Sequence, residues 1–565
     1  MTEDVYEPLA RYRDEFKAKF HDLAVAKFQE LTDASGVDVA ANRKLVREIR
    51  ALEARAARAR RRSAWALAGI VLGFLGAAGV AAFCCLAEGE PWRNPWVSGA
   101  GAASLLLGIL CIGPFRRAQS RLFALTEEIR VKTDLAWRQM APLNALYTWD
   151  VTTRLIEATV PRLQFDPYFA ARRLDDLKRL YGWDDAYNKG KSVLFAQSGV
   201  INGNPFVFGD CLEQGWTTET YHGSLSISWT EIEDDAEGRP RRVTRHETLH
   251  ASVSKPKPSY DTRTFLLYGN DAAPNLRFTR EPSDLSDAGG GLFKSLRLHF
   301  ATRKLKAFSR NLKDESQYTL MGNHEFEVLF QTMDRTNEVE YRLLFTPVAQ
   351  LQMLALLKDR SVGYGDDFRF VKRDKINLVF AAHLDRFPLD TDPARFADWD
   401  WDAARGRFLD FNDTYFKNVY FGLAPLLAIP LYQQTRTHEE IWKDVLGPHE
   451  GASFWEHEAL ANYHGEDAFR HPDCITRSIL KTELRARTDG TSRVMVTAHG
   501  FRGEPRTDYV SVYGGDGHYH DVPVEWTEYL PVARAREVSV REGVRPDRPL
   551  TPAEAVRRAI YSSLA

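Results

Sequence analysis

The chain is poor in cysteine: five in 565 residues, of which Cys84, Cys85 and Cys111 lie in strongly apolar runs. Only Cys211 and Cys474 remain for the polar regions, and no Cys-x-x-Cys pair occurs. That excludes a disulfide framework, a zinc ribbon and a dithiol redox site, and it fits a reducing compartment. An excess of either charge is lacking too, since 75 Lys and Arg stand against 77 Asp and Glu for a net charge of -2. There is therefore no global basic signal for nucleic acid. No Gly-x-Ser-x-Gly nucleophile elbow, internal repeat or low-complexity tract occurs. The most informative deficit is local: Ala64 to Ala87 and Trp96 to Phe115 contain no charged residue.

Each of these runs reaches the ~20 apolar residues that a helix needs to cross ~30 Å of hydrocarbon. The connector, Glu88 to Pro95, is polar and carries Pro91, so the pair reads as a tight transmembrane hairpin. Arg55, Arg58, Arg60, Arg61 and Arg62 precede the first run, while Arg116, Arg117 and Arg121 follow the second. The connector offers only Arg93 against Glu88 and Glu90. Positive flanks stay inside, which predicts two cytoplasmic termini and an external loop. The same arginines attract the anionic headgroups of a lipid bilayer. Trp65, Trp92 and Trp96 suit the interfacial level, and the late start of the first run argues against a cleaved leader. With no ionisable residue inside, the runs predict an anchor and not an ion or proton path. Gly69, Gly73, Gly76, Gly79, Gly99, Gly101 and Gly108 permit close backbone approach, within the hairpin or between copies in a homo-oligomer.

The expected fold class is an α+β membrane protein: a two-helix transmembrane hairpin, a helical cytoplasmic stalk and a large β-rich cytoplasmic region. Residues 1–63 are expected to form N-terminal cytoplasmic helices. Leu9, Tyr12, Phe16, Phe20, Leu23, Phe28 and Leu31 make an apolar stripe there, and Asp38 is placed to cap the helix that enters the membrane. Residues 64–87 and 96–115 are the spans, 88–95 the external loop, and 116–189 a helical stalk. An α+β domain is expected over 190–440. Strands are predicted over Ser192–Ile201, Pro205–Cys211, Ser224–Ile232, Val243–Ser254 and Thr264–Tyr268, with a hairpin turn at Asp234–Gly238. Next come a helix over Gly291–Phe308, strands near Phe326–Met333 and Glu340–Phe345, a helix over Pro347–Leu357 and a strand over Asn377–Ala382. Val419–Leu431 is apolar but too short to span, which predicts burial in protein or a place at the membrane interface. Residues 441–540 read as a C-terminal β-rich region with a turn at Gly514–Gly517, and 541–565 as a tail with a short helix.

The sharpest chemical motif is His246-Glu247-Thr248-Leu249-His250, a literal His-Glu-x-x-His. On a helix it would set two zinc ligands on one face with a glutamate as general base. Here Val243 to Val253 alternates with a strand period, and Pro256 and Pro258 follow closely. On a strand the two histidines lie about 13 Å apart, too far to share one zinc. A second group, His457, His464, His471 and Cys474 with His499, His518 and His520 downstream, has ligand types but no standard metal spacing. The Gly289–Ser295 stretch lacks the spacing of a phosphate loop. The sequence therefore assigns no catalytic, cofactor-binding or metal-binding residue, implies no cofactor, and does not identify an enzyme.

Several segments carry a likeness: the two N-terminal runs, Thr220–Trp229, Gly322-Asn-His-Glu-Phe-Glu327, Tyr341-Arg-Leu-Leu-Phe-Thr-Pro347 and Gly514-Gly-Asp-Gly-His518. With these the chain resembles a bacterial family of two-pass inner-membrane proteins that bear a cytoplasmic domain of unknown function. The resemblance covers about 60–390 and implies an inner-membrane location and topology, no catalytic residues, and a LemA-type membrane protein as a partner. The expected function is a membrane-anchored cytoplasmic scaffold, sensor or adaptor. The alternative is a membrane-tethered zinc-dependent hydrolase or peptidase that uses the clustered histidines.

Overall fold

The computed structural model describes residues 5–86, 94–234, 240–283, 321–332, 334–435, 451–488, 490–542 and 548–564. The chain divides into two compact units. The smaller takes in Asp22–Thr148 and Pro393–Asn412; the larger takes in Met1–His21, Trp149–Asp392 and Asp413–Ala565.

Two helices dominate the smaller unit: α1, Val39–Leu86, and α2, Pro95–Asn144. Asp38 caps the first, its Oδ1 accepting the Ala41 amide at 2.9 Å, and Asn94 caps the second through the Trp96 amide at 3.1 Å. Both are long and apolar enough to cross a membrane, and only 6% of the most apolar window of each is buried within the protein. Five glycines of the stripe, Gly69, Gly73, Gly76, Gly101 and Gly108, are used inside the hairpin, whereas Gly79 and Gly99 face open space. A Cβ on Gly73 would come within 2.7 Å of Ser104 O and 2.6 Å of Gly108 Cα, and one on Gly69 within 2.6 Å of Cys111 Sγ. No larger residue fits there, which is how small residues bring two helix backbones together. Beyond the apolar windows Leu45, Ile49 and Ala136 form a small core with Ile129 and Trp399, and Lys132 pairs with Glu48 at 2.7 Å.

Among the described residues of the larger unit all ladders are antiparallel. The first sheet contains β1 (Leu163–Phe165), β2 (Lys191–Ile201), β3 (Asn204–Asp234), β4 (Pro240–Gly269), β5 (Arg277–Arg280), β6 (Phe368–Arg373) and β7 (Ile376–Ala381). They run in the order β1-β2-β3-β4-β7-β6-β5. The second sheet holds β8 (Ile479–Thr488), β9 (Thr491–Tyr513), β10 (Tyr519–Glu542), β11 (Glu554–Arg557) and β12 (Ile560–Leu564), ordered β11-β12-β10-β9-β8. The helix α3, Phe454–His464, joins the two cores: Trp455 and Ala459 pack with Phe169, Val207 and Phe265, whereas Leu460 and Ala461 pack with Val494, Val496 and Val538. An aromatic cluster forms where Tyr12, Phe16 and Phe20 meet Phe416, Tyr420 and Phe421. The apolar Val419–Leu431 stretch is buried in protein as expected, with Val419, Leu423, Ala424 and Ile429 hidden.

Several sequence expectations need correction. The five short strands foreseen between Ser192 and Tyr268 are three long ones, β2, β3 and β4. Phe326–Met333 and Glu340–Phe345 are not strands: helices occupy His324–Phe330 and Glu338–Leu344, each started by an asparagine. Asn323 Oδ1 accepts the Phe326 amide at 3.2 Å and Asn337 Oδ1 the Glu340 amide at 3.1 Å, satisfying amides that a helix start leaves open. Helix in the 116–189 segment stops at Asn144, resumes over Val151–Thr159 and Ala171–Tyr181, and is interrupted by β1. The C-terminal tail forms β11 and β12 in place of a short helix, because Arg558 at φ 57° turns the chain back and β12 adds to β10. The helix expected over Gly291–Phe308 and most of the turn at Asp234–Gly238 lie outside the described residues.

Candidate functional site

The most distinctive surface is a two-layer β-arm. Strand β2 pairs with β3 only as far as Glu213, and β7 meets β4 only from Leu266, so Gln214–Asp234 and Pro240–Tyr260 continue as a hairpin of two strands. At ~3.3 Å per residue that hairpin is roughly 65 Å long. The second sheet sends out its own hairpin over Phe501–Tyr513 and Tyr519–Pro531, beyond the reach of β8 and β12. An isolated hairpin is marginal in water. Here the two cover each other, with Leu249, Ala251, Val522 and Val524 at the centre and Tyr221, Leu225, Ile227, Val510 and Val512 around them. Lys255 bonds Asp508 at 2.6 Å and sits 4.3 Å from the Trp526 ring, while Trp216 and Phe501 stack edge-on near the base. Toward the far end Glu247 accepts the Gly515 amide at 2.7 Å.

The other face of the β3–β4 hairpin is uncovered and carries no charge along much of its length. Thr218, Thr220, His222, Ser224, Ser226, Ser228 and Thr230 alternate out of β3, opposite Thr244, His246, Thr248, His250, Ser252 and Ser254 of β4. Hydroxyls meet across the strands, Thr220 with Ser254 at 3.1 Å and Ser226 with Thr248 at 3.4 Å. The His-Glu-x-x-His motif lies in this face, on a strand as its alternation required. His246 and His250 are exposed and pair with Ser228 and Ser224, while Glu247 points the other way to bridge the hairpins. About 13 Å of strand separates the two imidazoles, so they cannot share a zinc.

The second histidine group is dispersed. His457 is buried in α3 with Nε2 unpartnered, and burial pushes its pKa from 6.5 down to about 4. His464 bonds the Ser562 hydroxyl at 2.6 Å, and His471 accepts the Asp473 amide at 3.2 Å. Cys474 lies 3.3 Å from Thr476 O. His499 is on β9 opposite Ile479, His518 follows the Gly514–Gly517 turn, and His520 pairs with Asp516 at 2.8 Å. Among the described residues no three His, Cys, Asp or Glu side chains converge as metal ligands. Gly289–Ser295 lies outside the described residues.

One cleft escaped the sequence reading. Arg360, Tyr364, Asp367, His383, Arg386 and Asn418 line a space of about 560 Å³. His383 stacks on Tyr364 at 4.1 Å between ring centroids, and its Nδ1 lies 2.5 Å from Asp367 Oδ2. Its Nε2 lies 3.1 Å from Asn418 O, so both ring nitrogens are engaged. The imidazole is an ordering element with no nitrogen left for a substrate, and among the described residues no serine, threonine or cysteine lines the cleft as a nucleophile. No motif marks these residues in sequence, because Tyr364, His383 and Asn418 are brought together only by the fold.

A second groove lies in the smaller unit, between α1 and α2. It measures about 690 Å³ and is lined by Arg55, Arg58, Arg62, Arg117 and Arg121 with Trp65 and Pro114. Neither a protein-family model, nor a curated protein, nor a solved structure matches this chain.

Proposed function

We propose that the protein is a non-enzymatic, membrane-anchored scaffold or adaptor, held in a bacterial inner membrane by the α1–α2 hairpin with both termini in the cytoplasm. The observation that carries this reading is the bareness of the hairpin: its helices touch each other, yet only 6% of the most apolar window of each is buried within the protein. Exposed apolar surface on that scale is not tolerated in water and belongs in hydrocarbon. Arginine at both inner flanks favours the cytoplasmic orientation. Gly69, Gly73, Gly76, Gly101 and Gly108 are in contact inside the hairpin, which supports an anchor built within one chain.

The β-arm supports the adaptor half of the reading. It is long, backed by a second layer, and presents a ladder of hydroxyls and imidazoles. Sites of this kind offer many weak hydrogen bonds and no reactive group, which suits docking more than catalysis. The family resemblance suggests a LemA-type membrane protein as the docked partner, and a homo-oligomer is the other assembly in keeping with an anchored arm.

The test is membrane partition of the full chain. It should resist alkaline carbonate and float with liposomes, and introducing Leu72→Arg with Leu106→Arg should release it. Wild-type protein recovered in the soluble fraction would overturn the anchor. Turnover in a hydrolase screen, abolished by one side-chain replacement, would overturn the non-enzymatic half.

A further inference from the structure

Of the eight arginines that flank the apolar runs, five line one groove. Arg55, Arg58 and Arg62 recur at spacings of three and four, which sets them on one face of α1, and Arg117 and Arg121 do the same on α2. Arg60, Arg61 and Arg116 belong to the same clusters but are outside the lining. Charge for topology alone needs no such focusing, because the positive-inside bias depends on number and not on helix face. The described lining contains no carboxylate to neutralise the guanidiniums. Further along α2, Glu127 is already held by Arg130 at 2.5 Å.

The groove also marks a boundary. Trp65, the second residue of the first apolar run, is 79% exposed and forms part of the wall, as does Pro114 near the end of the second run. Counting down from the Gly73–Gly108 and Gly69–Cys111 contacts brings Arg62 level with Ala118, so the two helices deliver their guanidiniums at the same depth. A ligand seated there meets planar donors suited to phosphate oxygens on one side and apolar surface on the other. A soluble anion would use the arginines and leave Trp65 and Pro114 idle.

From this arrangement we infer that the groove is a discrete binding site for the phosphate of an anionic phospholipid, seated between the two helices with its acyl chains along the apolar run. The inference rests on the membrane-anchor reading and deepens it. The full-length protein is extracted gently and its lipid retention read by native mass spectrometry with phosphatidylglycerol and cardiolipin against phosphatidylcholine. Two variants of equal charge are compared: R58Q/R62Q/R121Q inside the groove and R60Q/R61Q/R116Q outside it.

The groove variant should lose anionic-lipid retention by about tenfold or more, while the outer variant stays within about twofold of the wild type. Equal losses in both would mean diffuse attraction to the surface and overturn the site, as would no loss in either. Inorganic pyrophosphate, titrated at fixed ionic strength, separates the two phosphate sources. Saturable binding of pyrophosphate without lipid retention would assign the groove to a soluble phosphate and overturn the lipid. Flotation of each variant on liposomes reports the anchor separately, so loss of retention by a protein that still floats concerns the groove alone.

Discussion

Gly73 and Gly108 meet backbone against backbone: the space where a Cβ of Gly73 would sit is occupied by Gly108 and the carbonyl oxygen of Ser104. This contact fixes the separation of α1 and α2, and its neighbours follow the same rule. Cβ atoms at Gly76 and at Ser104 would stand 3.2 Å apart, close to the spacing that a disulfide bridges. Gly76→Cys with Ser104→Cys should therefore crosslink on mild oxidation, read as a loss of two hydrogens in the intact mass. Adding Gly73→Leu should force the helices apart and abolish that crosslink. Efficient crosslinking in the triple variant would show that Gly73 does not set the spacing.

The arm has a comparable pinch point. A Cβ on Gly223 of β3 would collide with the Pro523 carbonyl of β10, backbone against backbone, so neither side can yield cheaply. Gly223→Val should strain the interface between the two hairpins and lower the unfolding free energy by about 1–3 kcal/mol. Hydrogen exchange gives the sharper reading: amides of Tyr519–Pro531 should lose protection while those of α3 keep theirs. Uniform loss across the larger unit would mean that the arm is not a separable layer.

How far these features were legible depends on whether the signal was local. A charge-free run and the arginines beside it are local, and so is the alternation around His246–His250, whose strand identity followed from Val243 to Val253 alone. The length of the arm was not. Gly215, Gly223, Pro256 and Pro258 fall between the short strands expected from the sequence, yet all lie inside β3 and β4. Proline is tolerated on an edge strand, and in this hairpin β4 has no partner other than β3. Phe326–Met333 reads as a strand because its aromatic and branched residues favour one. Asn323 held the contrary signal, since a capping asparagine three residues ahead marks a helix start. The Tyr364–His383 cleft and the union of both cores on α3 depend on contacts distant in sequence, which no local pattern encodes.

That union makes Glu456 a prime target. Its Oε2 accepts from Arg557 at 2.7 Å, its Oε1 from Arg558 at 2.9 Å and from the Phe169 amide at 3.0 Å, all out of water. The carboxylate therefore ties the β11–β12 turn to α3. Glu456→Gln would remove the carboxylate that both buried guanidiniums bond, and breaking a buried pair in this way costs about 3–5 kcal/mol. We expect the denaturation midpoint to fall accordingly and limited proteolysis to begin in 548–564. A change below about 1 kcal/mol would mean that the arginines find other partners.

The last prediction concerns two neighbours with opposite pH behaviour. Burial depresses His457 from its ordinary 6.5 to about 4 and raises Glu458 from 4.5 to about 7, against the pull of Lys481 at 3.0 Å. For His457 the unfolded chain binds the extra proton, so its contribution is present above 6.5 and is lost as pH falls toward 4. For Glu458 the folded chain binds the extra proton, so stability present at low pH declines as pH rises from 4.5 to 7. Asp210, raised from 3.8 to about 7 by burial beside Asp385, acts in the same direction as Glu458. Each effect is on the order of 3 kcal/mol, so His457 offsets one of the two carboxylates and wild-type stability declines from pH 4.5 to 7 by the other. His457→Gln should leave both carboxylates unopposed, so that the fall in urea stability between pH 4.5 and 7 becomes steeper than in the wild type. Glu458→Gln should shift the pH slope of stability upward, toward rising stability, over the same interval. If neither substitution altered the slope of stability against pH, the buried charges would not be titrating in the folded chain.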